Sequence, residues 1–197
     1  KIAFFVMCIM LFSCESSTVK PKPNFPKGSL NKVELMASIH SLEDSLVKFN
    51  IVYNENARSL DKEVRIALET NISVARQEYI NRNVTYYRSF PKDSLSVHCL
   101  MNIYHLYDKI QAYEKAISYM DTIEVNYPDF PLPIDLLMQK AVNLDFFIEP
   151  RDTSRIRKCY ERVLNYPDIP AKLKSDSEDR LRNLDKNLED IISKTLN

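Results

Sequence analysis

The chain has 197 residues, 45% of them apolar and 27% charged, with 27 basic side chains balancing 27 acidic ones. Zero net charge supplies no global field to attract nucleic acid or an anionic membrane, so neither is expected as a charge-driven partner. A single glycine, Gly28, nearly excludes phosphate-cradling loops and dinucleotide fingerprints, which need glycine where backbone approaches a ligand or takes positive φ. Scarce glycine also disfavours a β protein built from tight hairpins and points to helices.

Lys1 precedes an apolar run, Ile2 to Phe12, that closes on Leu11-Phe12-Ser13-Cys14. A run of about a dozen residues is too short for a bilayer core needing about 20, so it reads as a secretory signal. The small residue before Cys14 resembles the lipobox of bacterial lipoproteins, whose cysteine is acylated and becomes the mature N-terminus. That resemblance implies a signal peptide over 1–13, which removes Cys8, and a lipid on Cys14 that holds the protein to a membrane outside the cytoplasm. A short anchor helix with an incidental cysteine is the plainer alternative. Residues 15–29, with three prolines, Gly28 and mostly polar side chains, cannot build a core. The segment 14–30 is therefore expected to be a lipidated cysteine and flexible linker, reaching up to about 45 Å at ~3.1 Å per residue. The remaining 31–197 suffice for one domain with its own core.

That domain reads as helices throughout. Asn31-Lys32-Val33-Glu34 has the form of a capping box, followed at helical spacing by Val33, Leu35, Met36, Ile39, Leu42, Leu46 and Phe49. Residues 50–58 interrupt the pattern. A second helix is expected from about Asp61 to Ser89 through Val64, Ile66, Leu68, Ile72, Val74, Ala75, Tyr79, Ile80 and Val84, ending where Phe90-Pro91 forbids continuation. Aromatic-proline pairs then recur at Tyr127-Pro128 and Tyr166-Pro167, 37 and 39 residues apart. Between the marks fall two helical stretches each, roughly 94–108 with 111–126 and 133–148 with 152–165. Residues 170–197, carrying Leu173, Leu181, Leu184, Leu188, Ile191 and Ile192 on one face and charges elsewhere, suit a terminal capping helix.

Helix, turn, helix and aromatic-proline at a period in the thirties is the pattern of a helical solenoid, and residues 97–128 resemble a tetratricopeptide repeat. With Pro128 as its closing proline, the resemblance puts Ala116 at the small inter-helix position, Tyr107 at the aromatic one, and Leu100, Ile103, Met120 and Ile123 at apolar ones. Tyr104 replaces the usual first-helix glycine, which implies wider local packing. A second repeat is degenerate but aligns through Ala141, Ile156, Tyr160 and Val163, and Phe90-Pro91 suggests a looser one upstream. The implied fold is all-α, a right-handed solenoid of helical hairpins with a C-terminal cap.

His98, Met101, His105 and Asp108 share one helix face at i, i+3, i+7 and i+10. The repeat resemblance implies that this face turns toward a concave groove, where the second repeat contributes Asp135, Met138, Val142 and Asp145. These eight are the candidate partner-binding residues. An ordinary solvated face and a metal site are the alternatives, the latter disfavoured because helical metal sites usually place histidines at i and i+4. No catalytic constellation is legible. His40 lies far upstream, Glu43-Asp44 and Glu189-Asp190 point to different helix faces, and no nucleophile elbow or zinc motif appears. Cys99 and Cys159 sit in apolar helical faces and read as free thiols, and the tyrosines chiefly as core filling.

Asp44-Ser45-Leu46, Asp93-Ser94-Leu95 and Asp121-Thr122-Ile123 resemble the short O-glycosylation signal of exported Bacteroidota proteins. A single Glu15 follows Cys14, without the acidic cluster that resembles a surface-export signal, so the periplasmic side of the outer membrane is expected. The expectation is a lipid-anchored adaptor, without enzymatic activity, cofactor, metal or small-molecule substrate, that binds a protein partner and serves outer-membrane assembly or secretion. A glycan- or nutrient-binding lipoprotein is the alternative, though the chain lacks tryptophan, the preferred sugar platform.

Overall fold

A computed structural model describes residues 31–56 and 59–186. Among these residues there are seven helices and no strand: α1 (Lys32–Asn56), α2 (Lys62–Ser89), α3 (Ser94–Lys109), α4 (Tyr113–Asn126), α5 (Ile134–Phe146), α6 (Thr153–Leu164) and α7 (Ala171–Arg182). The signal, lipid and linker expectations on 1–30, and the core positions Leu188, Ile191 and Ile192, lie outside the described residues.

The aromatic-proline marks end the even-numbered helices α2, α4 and α6. Phe90 and Tyr127 each close a last turn, their N–H groups donating to Tyr86 O at 2.9 Å and Ile123 O at 2.8 Å. The Tyr127 hydroxyl then donates to the Pro91 carbonyl at 2.6 Å, tying one mark to the next. Helix starts are capped where the sequence offers a short acceptor. Asn31 accepts from Val33 N–H at 3.0 Å, Asp93 from Leu95 N–H and Asp152 from Arg155 N–H, both at 2.9 Å, each satisfying a donor the first turn cannot. Between α3 and α4 the chain reverses through Gln111 at φ 60°. Gln111 N–H donates to Asp108 O and Ala112 N–H to Tyr107 O, a Schellman closure made without its customary glycine.

The core is a running seam. Leu35, Ile39, Leu46, Tyr79, Tyr86 and Cys99 join α1, α2 and α3. Leu100, Tyr104, Ala116, Met120, Ile123, Leu136 and Val163 join α3 through α6, and Ile117, Ala141, Leu144, Ile156, Tyr160 and Leu184 carry on past α6. Each helix packs against its neighbours in the chain. Leu100, Ile103, Met120, Ile123, Ala116 and Tyr104 are completely covered; at about 1.5–3 kcal/mol for each large apolar side chain buried, these positions stabilise the middle hairpin.

Two expectations need correcting. Residues 50–56 do not interrupt α1, because Asn50 and Asn56 donate their amides back to the carbonyls of Leu46 and Val52, and Tyr53 donates to Glu69 of α2 at 2.8 Å. Val33, Val64, Ile66 and Val74 are exposed rather than core, because they lie on sides of α1 and α2 that no other described helix covers.

Candidate functional site

The eight candidate groove residues separate by environment. His98 and His105 on α3 and Asp135 on α5 are exposed. His98 meets Phe130 edge-on at 5.8 Å, and His105 meets Tyr104 at 5.5 Å. Although His105 is exposed at its surface, partial burial pushes its pKa below the ordinary value, while Asp108 pulls the other way. Met101, Asp108, Met138 and Val142 are half-buried. Met101 and Met138 pack on the core seam, and Ser177 of α7 lies 3.8 Å from the Met138 sulfur. Asp108 accepts from Asn143 at 2.6 Å and also from Gln139, so its carboxylate joins α3 to α5.

Asp145 does not lie on an open face. Its side chain is fully covered, held by Arg180 from α7 and by Arg151, whose Nη2 stands 2.5 Å away, with the Tyr160 hydroxyl donating at 3.3 Å. Burial raises the Asp145 pKa, and the hydrogen bonds and charges of the two arginines outweigh it, so the carboxyl stays below its ordinary value. The reason is α7: it lies against α5 and α6 and brings Arg180 over the carboxylate. Cys14, the expected lipid site, lies outside the described residues.

Two further features flank the face. A cleft of about 280 Å³ opens between α1, α2 and α3, with His105 on its rim. Tyr113 and Phe147, both beside hairpin turns, stack at 4.3 Å with their planes 13° apart, and Phe147 is exposed. Among the described residues, no group of three or more His, Cys, Asp or Glu side chains could hold a metal ion. None of the described helices is long and apolar enough to cross a membrane. Cys99 and Cys159 are both free; burial pushes the Cys99 thiol up to about 12 and also raises Cys159. Both are therefore protonated at neutral pH and weak nucleophiles.

No family model matches the chain, and neither a curated protein nor a solved structure matches it.

Sequence reading missed two things. The partners of Asp145 lie as far off as Arg180, and no local spacing announces a bond between residues 35 apart. The other was legible. Phe25-Pro26 ahead of α1, Phe90-Pro91 ahead of α3 and Tyr127-Pro128 ahead of α5 each precede a Leu-Met pair in the same register: Leu35-Met36, Leu100-Met101 and Leu137-Met138. The three leucines are buried and the three methionines half-buried, so α1 shares this Leu-Met pattern with α3 and α5.

Proposed function

We propose that the protein is a lipid-anchored helical-repeat adaptor, a right-handed tetratricopeptide-like solenoid tied to the outer membrane through Cys14. It faces the periplasm, has no enzymatic activity, and offers one side of its stacked hairpins to a protein partner in outer-membrane assembly or secretion. The observation that carries this reading is the connectivity of the packing. Beyond chain neighbours, side-chain bonds run from odd helix to odd helix, Asp108 to Asn143 and Asp145 to Arg180. They also run from even to even, Asn126 to Tyr87 and Arg155 to Asp121. A chain organised this way is held by nearest-neighbour interfaces and keeps long faces free for contact. His98 and Asp135 supply exposed polar groups on successive odd helices, and tetratricopeptide-like stacking would bring them to one concave side. A single acyl chain gives only reversible membrane binding, so a stable tether requires the several chains that lipoproteins carry.

Affinity capture with the detergent-solubilised full chain tests the reading. A stoichiometric partner is expected with the wild type and lost with His98→Glu and Asp135→Lys, while circular dichroism stays unchanged. A partner retained by both variants, or no stoichiometric partner, overturns it. Cys14→Ser should release the protein from membranes; a variant that still sediments with them removes the anchor. The stacked, partly exposed Tyr113–Phe147 pair favours a second reading, glycan binding, because an exposed aromatic face is what a sugar ring stacks on. Saturable quenching of tyrosine fluorescence by oligosaccharides, lost with Tyr113→Ala, would support that reading over the first.

A further inference from the structure

The length of the first hairpin creates a notch that the adaptor reading does not use. Lys109, the last residue of α3, lines the same cleft as Asn50 of α1 and Arg76 of α2, while α1 continues to Asn56 and α2 begins at Lys62. The longer helices therefore extend past the end of α3, and the step borders an open cleft of about 280 Å³, on which Glu43 and Lys109 are exposed. Each of the three helices brings one full charge to it: Glu43 from α1, Arg76 from α2 and Lys109 from α3. Leu46 and Leu106 give it an apolar side, and the buried Tyr79 lies at its base with the Asn83 and Asn102 amides close to its hydroxyl.

These charges do not satisfy one another. Among the described residues, none of Glu43, Arg76 and Lys109 forms an ion pair within 4.0 Å, although Arg82, farther along α2, holds Glu78. Two cations and a carboxylate that face one cavity without meeting are the complement of a zwitterion of opposite balance. We propose that this notch binds a small acidic amino acid, a molecule with one ammonium and two carboxylates. The carboxylates meet Arg76 and Lys109, the ammonium meets Glu43, and the intervening methylenes lie on Leu46 and Leu106. Charge agrees: with His105 neutral the three groups sum to one positive charge, and the ligand carries one negative. Size agrees as well, since a cleft of about 280 Å³, just below the range of about 300–1,000 Å³ for drug-sized ligands, suits a smaller molecule of about ten heavy atoms.

Isothermal titration calorimetry on the detergent-solubilised full chain is the test, with L-glutamate, glutarate and L-lysine as probes. Saturable one-to-one binding of L-glutamate is expected, at least tenfold weaker binding of glutarate, which lacks the ammonium, and none of L-lysine. Arg76→Gln should weaken L-glutamate at least tenfold. Glu43→Gln should bring L-glutamate and glutarate to within about threefold of each other, a change of preference that simple unfolding cannot produce. Both variants replace a side chain that has no ion pair among the described residues with a good helix former and should melt as the wild type does. Absence of saturable L-glutamate binding, equal affinity for glutarate in the wild type, or wild-type affinity in Arg76→Gln overturns the proposal. The adaptor reading is tested at His98 and Asp135, outside the notch, so the two can fail separately.

Discussion

α1 buries three of its 25 residues, whereas α5 buries seven of its 13. At 1.5 Å per residue α1 is about 37 Å long, against about 20 Å for α5, and among the described helices α1 packs chiefly against α2, whereas α5 packs against both α4 and α6. The consequence appears on the surface: Val33, Val47, Ile51, Val52, Val64, Ile66 and Val74 of the first hairpin are all exposed. The later helices are matched in length, and charge supplements apolar contact between them. Lys140, almost fully covered, lies 2.8 Å from both Asp121 and Glu124, which in turn pair with Arg155 and Arg162. The number of packing partners thus separates the part of the molecule committed to holding itself together from the part that retains uncovered surface.

The largest effect is expected where the second region is most committed. Asp145→Ala leaves Arg180 and Arg151, both half-buried, without their shared counter-charge, and breaking a buried pair costs up to about 3–5 kcal/mol. The denaturant midpoint should fall accordingly, and amide exchange should speed first in α7, which loses its link to α5, with α1 and α2 little affected. An equal loss of protection in all helices would show that the chain unfolds as one unit. The same carboxylate sets a pH dependence. Because its folded pKa is below the ordinary 3.8, its contribution is fully present above the unfolded value and fades as pH falls through the folded one. Wild-type stability should therefore drop below about pH 4 more steeply than that of Asp145→Asn, as followed by thermal melts.

Ile103→Ala sharpens the comparison inside the apolar seam. Ile103 is completely covered, and truncating it should cost about 2–5 kcal/mol, depending on how far the site collapses. Val74→Ala on the uncovered side of α2 should stay within about 0.5 kcal/mol. Equal costs at the two positions, measured by urea denaturation, would mean that something covers the first hairpin in solution.

That contrast also bears on what was legible in the residues. Helix ends were, because proline cannot continue a helix and Asn31, Asp93 and Asp152 have short side chains that reach first-turn N–H groups. The inner positions of the middle hairpin were, because their spacing matches a helix buried on one side. Val64, Ile66 and Val74 show the same spacing and are exposed, since periodicity reports a face and not whether a neighbour reaches it. The extension of α1 through Asn50 and Asn56 was hidden, as asparagine usually favours turns over helix interiors. Of the candidate face, the exposed polar groups were readable from register alone. The burial of Asp145 and the convergence of Glu43, Arg76 and Lys109 were not, because both depend on which helices come to lie side by side.

The smallest expected effect has the opposite sign. Gln111 occupies the left-handed region at φ 60°, where a Cβ crowds the backbone at a cost of about 1–2 kcal/mol. Its N–H and that of Ala112 close the end of α3, so the backbone geometry is needed while the side chain is not. Gln111→Gly should remove that crowding, lose part of the gain to the greater freedom of glycine in the unfolded chain, and stabilise by about 0.5 kcal/mol net. Asp168, at φ 52°, should gain less from the same change, because aspartate tolerates this region better than glutamine does. A rise in melting temperature for Gln111→Gly that exceeds the rise for Asp168→Gly is the expected order. The reverse order would mean that the Gln111 side chain makes a contact in solution that offsets its backbone strain.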